Sequence, residues 1–230
     1  LPVAKEKPNA ELSDAERKAI IEWADSGSPE GDPSTAPAPL KFVEGWNIGV
    51  PDRVIEMPID YAVPATGVIE YQHVIVPTGF TEDKWVRAVE IRPGNRAVVH
   101  HIIAFVRPPG SKWLKGTEPG VAVPNREKFG GLTAVELPEF LLSYTPGRPP
   151  VGLADGQARL IPAGSDIVFQ LHHTSNGKPA TDRSRLGLIY SKEPPRERIA
   201  TLPIANRNFV IPPGAPNHRV GAVANVDQPA

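Results

Sequence analysis

Near the N-terminus, apolar residues recur at helical spacing. Ser13 and Glu16 form a Ser-x-x-Glu capping box, which satisfies free backbone N–H groups of a first helical turn. The apolar positions that follow fall on one helical face: Ala15, Ala19, Ile20, Trp23 and Ala24. Gly27 then supplies a C-terminal stop. The pattern predicts a helix near residues 13–26, followed by a proline-rich linker.

From Phe42 onward, the pattern changes to short apolar runs separated by turn residues, which is typical of β-strands. Turns such as Pro93-Gly94-Asn95 and Ser175-Asn176-Gly177 separate the runs. The predicted strands are 54–57, 67–76, 85–91, 97–106, 166–174, 186–190, 209–211 and 220–226. These features predict a mainly β fold, an antiparallel β-sandwich or jelly roll with one N-terminal α-helix. The Gly- and Pro-rich stretch 111–150 is predicted to form a long excursion across one end of the sandwich.

Composition excludes several classes of protein. The chain has 25 basic and 26 acidic residues in 230, and no basic stripe that would favour nucleic acid. No apolar run reaches the roughly 18 residues of a membrane span, and the first residues carry no apolar core of a signal peptide. The chain has no cysteine, which excludes both a disulfide framework and a haem attached through a Cys-x-x-Cys-His motif within these residues.

Four of the six histidines lie in two strand-like apolar runs, as the pairs His100-His101 and His172-His173. Neighbours in an ideal strand point to opposite faces, so a pair can reach one site only where the backbone bends or the rings use different nitrogens. The alternative to metal binding is that one histidine of a pair is buried and hydrogen-bonded while the other lies at the surface. Of the other two, His73 shares one strand face with Tyr71 and is predicted to lie on a polar or half-buried face, and His218 is predicted to be a turn or packing residue.

Two ligands from one strand and a third from a distant strand would make a three-nitrogen metal site. Three protein ligands with an open position suit a working metal better than a structural one. His172 ends a strand just before a turn, where a side chain can reach across the mouth of a sandwich. The spacing leaves His172 and His173 open as the third ligand, and imidazole suits copper and zinc alike.

Three motifs of the chain resemble those of a known family. They are Val99-His100-His101-Ile102-Ile103-Ala104-Phe105, Gln170-Leu171-His172-His173 and Ile211-Pro212-Pro213-Gly214. They are similar to motifs of the copper type II, ascorbate-dependent monooxygenases, which include peptidylglycine α-hydroxylating monooxygenase and dopamine β-monooxygenase. In that family a Val-His-His run supplies two ligands of the first copper, and a Gln-x-His-Tyr motif supplies the third.

The resemblance implies that His100, His101 and His172 bind one copper ion, while His173 occupies the usual place of tyrosine. It also implies a periplasmic or secreted protein that hydroxylates C–H bonds of a small-molecule or peptide substrate. The implied reductant is ascorbate or a cytochrome c-like domain. The second alternative arises because residues 12–33 resemble the last helix and exit of such a domain in bacterial members of the family. Three regions follow: the tail of that domain with a linker (1–40), a copper-binding sandwich (41–193), and the start of a second, truncated sandwich (194–230).

The family's second copper requires a His-x-His motif and a distant methionine. This chain has no His-x-His, and its single methionine, Met57, lies far upstream. We therefore expect an N-terminal mononuclear copper domain that transfers electrons, does not hydroxylate alone and lacks the C-terminal copper domain. The alternatives are a non-catalytic copper-binding or electron-transfer module, and an interaction domain whose histidines only pack.

Overall fold

The computed structural model describes residues 12–36, 38, 43–125, 138–148, 150, 152–206 and 208–223. The chain divides into two compact units, Leu1–Phe42 and Val43–Ala230. In the part of the chain that the structure describes, no helix has the length and apolarity to cross a membrane.

The first unit contains the predicted helix, α1, at Asp14–Asp25. Ser13 is its N-cap, and the capping box is formed: the Ser13 N–H donates to Glu16 Oε2 at 2.7 Å, and the Glu16 N–H donates to Ser13 Oγ at 3.3 Å. Gly27 adopts a φ of +87°, a conformation that suits glycine at a helix end. A short 3₁₀ helix follows at Pro33–Thr35.

The second unit is built from short strands. They are β1 Arg53–Glu56, β2 Tyr61–Val63, β3 Gln72–Pro77, β4 Lys84–Arg92, β5 Val99–Arg107, β6 Val123–Pro124, β7 Glu139–Tyr144, β8 Gln157–Ile161, β9 Asp166–His173, β10 Ala180–Asp182, β11 Arg185–Tyr190 and β12 Glu197–Arg198. One five-stranded sheet has the order β1-β11-β4-β8-β12, and a second, here called the histidine sheet, has the order β6-β3-β9-β5-β7. Strands β10 and β2 form a separate two-stranded sheet. Among the strands that the structure describes, all pairings are antiparallel except that of β12 with β8.

The two five-stranded sheets share one hydrophobic core. Alternate residues of each strand point inward, as the period of two in a β-strand requires. Ile102, Ala104 and Val106 of β5 pack with Ile167, Phe169 and Leu171 of β9, and the other sheet contributes residues such as Val86, Ile91 and Leu188. Two sheets packed through alternating apolar side chains form a β-sandwich, which confirms the predicted fold class.

The predicted strands before residue 200 correspond to β1, β3, β4, β5, β9 and β11. The prediction at 209–211 was wrong, because Phe209 and Val210 are exposed and no strand among the described residues pairs with them. Residues 220–223 also form no strand, and 224–226 lie outside the described residues. The stretch 111–150 is only partly an excursion, because β7 within it pairs with β5 and closes one edge of the histidine sheet. Residues 126–137 of that stretch lie outside the described residues.

The outer face of the histidine sheet points away from the shared core, and the segment 108–120 covers part of it. Trp113 and Leu114 of this segment are buried against Ile75 and Val168. Arg107 fixes the segment: its Nε donates to the Trp113 carbonyl at 2.7 Å, and its guanidinium also pairs with an aspartate of β9. The covering segment therefore flanks the histidines, which lie further along the same face.

Candidate metal centre

A β-bulge in β5 brings His100 and His101 to one face of the sheet. Val99 pairs with His173 and His101 pairs with His172, so His100 has no partner on β9. Two residues on one strand facing one step on the other define a bulge, which shifts the alternation of faces. Val99 and Ile102 both point into the core, and the two histidines between them both lie on the outer face. The bend that the sequence analysis required is therefore present.

The third histidine comes from the neighbouring strand. His172 lies directly across from His101, so their side chains share the outer face. The three rings surround a common point at steep angles: their centroids are 4.8–5.3 Å apart and their planes cross at 64–72°. One ring nitrogen from each histidine lies within 4.8 Å of the other two.

The nitrogen spacing fits a metal ion. His101 Nδ1 lies 3.1 Å from His100 Nδ1 and 3.3 Å from His172 Nδ1. Two nitrogens bound to one ion at about 2.0–2.1 Å lie about 2.8–3.6 Å apart when the angle at the ion is about 90–120°. A neutral ring nitrogen either donates one proton or offers one lone pair. Three converging nitrogens therefore cannot all be satisfied by hydrogen bonds to one another, whereas one cation would satisfy all three.

The protonation states also favour a metal. Partial burial lowers the pKa of His101, and the rings of His172 and His100 lower it further. Partial burial is also the largest cause of the lowered pKa of His172, followed by His100 and His173. Both rings are therefore neutral near pH 7 and keep a lone pair free for coordination. His100 is exposed, so the cluster opens to solvent on its side.

His173 lies on the opposite face and takes no part in the cluster. It is 2% exposed, and its ring stacks on Tyr61 with centroids 4.8 Å apart. Its Nε2 lies 3.1 Å from Asp182 Oδ2. Neighbouring residues of β9 point to opposite faces of the sheet. The structure therefore brings His172, not His173, to His100 and His101 of β5.

Tyr71 also packs on the cluster, which the sequence analysis did not predict. Its ring stacks on His172 with centroids 4.4 Å apart and planes 19° apart, and it lies 5.4 Å from the ring of His101. Because Gln72 pairs with Leu171, Tyr71 comes to lie beside His172. Only this pairing register could have identified it.

His73 lies on the same outer face, deeper in the sheet. It is fully buried, and the side-chain amide of Gln170 lies 3.1 Å from its Nε2. Burial lowers the pKa of His73 to about 4, so the ring is neutral at pH 7. Its Nδ1 is buried and has no hydrogen-bond partner among the described residues. The prediction of a polar or half-buried position for His73 was therefore wrong, while His218 is exposed.

Comparison with models of protein families and with curated proteins found no match to this chain. The assignment of a function therefore depends on the cluster itself and on the motifs that surround it. The arrangement defines a three-histidine site that could hold a metal ion, on the outer face of one sheet of a β-sandwich.

Proposed function

We propose that His100, His101 and His172 hold a single copper ion, and that the chain is an electron-transfer domain of an ascorbate-dependent copper monooxygenase. The convergence of three ring nitrogens at metal-binding distance carries the proposal. The resemblance of the Val-His-His and Gln-x-His motifs selects the family, since imidazole alone suits copper and zinc equally.

Bound copper would supply a one-electron couple between Cu(II) and Cu(I). The protein residues have separate parts in this role. His101 and His172 are neutral and partly buried, so they need not lose a proton before they coordinate. The exposed side chain of His100 faces solvent, which gives a small reductant such as ascorbate a route to the site. Tyr71 packs against the ring of His172 and limits its rotation.

Hydroxylation of a C–H bond is proposed for the parent enzyme and not for this chain. The described residues contain one group of three or more clustered metal-ligating side chains. The sole methionine, Met57, is buried in the core and does not reach the outer face. The second candidate is a non-catalytic copper-binding or electron-transfer module. The same observation favours it, because such a module needs only one metal site.

Metal binding is the first test. Protein purified without a histidine tag should bind one equivalent of Cu(II), measured by metal analysis and chelator competition. His172→Ala should weaken binding by at least about tenfold, because only two imidazoles remain. His218→Ala is the matched control, since it removes an exposed histidine distant in sequence from the cluster. Equal affinity in the three proteins would refute the site, and preference for Zn(II) over Cu(II) would refute the copper assignment.

Redox behaviour is the second test. Ascorbate added without air should abolish the Cu(II) resonance of the loaded protein. Air and a glycine-extended peptide or a phenethylamine should then give no hydroxylated product. Failure of ascorbate to reduce the copper would count against electron transfer. Stoichiometric product would show that this chain hydroxylates with one copper.

A further inference from the structure

Behind the histidine cluster lies a buried carboxylate that the proposed metal site does not use. Asp182, at the end of β10, is 1% exposed. It accepts three hydrogen bonds: from the Asn95 N–H at 2.9 Å, from Ser184 Oγ at 2.8 Å and from His173 Nε2 at 3.1 Å. A buried charge is tolerated where such donors satisfy it.

The first of these bonds reaches the turn that leads into β5. Asn95 is tied to β10 twice, because its side-chain amide also donates to the Thr181 carbonyl at 3.2 Å. The Asn95 carbonyl in turn accepts from the N–H groups of Val98 and Val99 at 3.3 and 3.2 Å. Through these bonds, Asp182 fixes the residues immediately before His100.

The bond from His173 reaches the end of β9. His173 pairs with Val99 and directly follows the ligand His172. Stacking of His173 on Tyr61 holds the ring from a second side. Asp182 therefore anchors both strands that carry the three histidines, on the face opposite to the cluster.

The bulge explains why such an anchor is needed. His100 has no ladder partner on β9, so backbone pairing alone does not fix the strands at this point. Beyond the bulge, the Thr174 N–H donates to the Val98 carbonyl at 2.8 Å and resumes the contact between the strands. The backbone bonds on either side of the bulge and the bonds to Asp182 together then hold His100 relative to His172.

We infer that Asp182, acting through His173 and the Asn95 turn, is a positioning residue for the three-histidine metal site. The inference rests on the proposed function, because it concerns the geometry of the same ligands. Asp182 touches none of the three ligand rings, and its effect is to hold their strands in register. Residues beyond the ligands commonly tune metal affinity by about tenfold or more.

The test compares two buried carboxylates. Asp182→Asn keeps the shape of the side chain but replaces one carboxylate oxygen with an NH2 group. The Oδ2 acceptor that His173 and Ser184 share is then lost. Glu90→Gln is the matched control: Glu90 is 4% exposed and accepts from Asn47, Ile48 and Arg92, in the other five-stranded sheet. Asp182→Asn should lower Cu(II) affinity about tenfold and change the hyperfine splitting of the Cu(II) resonance. Glu90→Gln should lower the melting temperature with less than about a twofold change in affinity.

His173→Phe separates positioning from charge. It keeps the aromatic stack on Tyr61 and the Asp182 carboxylate, but removes the hydrogen bond. It should lower affinity in the same direction as Asp182→Asn, and the double variant should lose less than the sum of the two losses. Unchanged affinity and resonance in both single variants would overturn the inference, as would an equal loss in Glu90→Gln.

Failure of the proposed function has a different signature. If the unaltered protein binds no metal, the metal role of the cluster is refuted, and hydrogen exchange of the metal-free proteins decides whether Asp182 positions the strands. The Thr174 amide should then exchange faster in His173→Phe, the milder variant, than in the unaltered protein or Glu90→Gln. Equal exchange in all three would remove the positioning role as well.

Discussion

Lowering the pH should destabilise the metal-free protein through one buried histidine. His73 is fully buried, and burial lowers its pKa to about 4. In the unfolded chain its pKa returns to about 6.5. Between these two pKa values the unfolded state binds a proton at His73 and the folded state does not, so the free energy of unfolding falls as the pH falls. The contribution of His73 is fully present above about pH 6.5 and is lost progressively as the pH falls towards 4.

The size of the effect follows from the two pKa values. One pKa unit corresponds to about 1.4 kcal/mol, so the shift from 6.5 to about 4 sets a maximum near 3 kcal/mol. At about pH 5, most unfolded chains are protonated at this position and few folded ones are, which gives a loss of about 2 kcal/mol relative to pH 8. With a urea m-value of about 2 kcal/mol/M, the unfolding midpoint should fall by about 1 M.

The assay is urea unfolding at several pH values with a chelator present. Other groups also titrate in this range, so the useful quantity is the difference between the unaltered protein and His73→Gln. Glutamine keeps an amide beside Gln170 but does not titrate, and His218→Gln is the matched control because that histidine is exposed. Between pH 8 and 5, the unfolding midpoint of His73→Gln should fall by about 1 M less than that of the unaltered protein, which corresponds to about 2 kcal/mol of unfolding free energy. Parallel curves for the unaltered protein and His73→Gln would refute the reasoning.

Two further predictions concern Tyr71 and Gly187. Tyr71→Ala should weaken Cu(II) binding several-fold in chelator competition, because an aromatic stack on His172 contributes about 0.5–1.5 kcal/mol; Tyr71→Phe should stay within about twofold, and equal losses would contradict a role for the ring. Gly187→Ala should cost about 1–3 kcal/mol in urea unfolding, because its Cβ would lie 2.8 Å from the ring of Trp46. Gly152→Ala, where no atom lies within 4 Å of an added Cβ, is the control and should be nearly neutral.

Local features of the sequence determined much of the fold. The Ser13–Glu16 capping box and the apolar spacing predicted α1 almost to its ends, because helix signals act within a few residues. Alternating apolar runs likewise predicted the long central strands, since the side chains that a strand buries are every second residue of its own sequence. The short strands, such as β2, β10 and β12, carry too few residues to show any period. They form only because a neighbouring strand is there to pair with them.

The candidate metal site likewise has features that the sequence predicts and features that only the fold determines. The sequence by itself identified two histidine pairs in apolar strands, because histidine is uncommon there and imidazole binds metals. Only the tertiary structure decided that a bulge turns His100 and His101 to one face, that His172 faces them, and that His173 points to Asp182 instead. These outcomes depend on the register between strands about seventy residues apart, which is set by the packing of the whole sandwich. No local pattern contains that register, so the geometry of the site had to come from the fold.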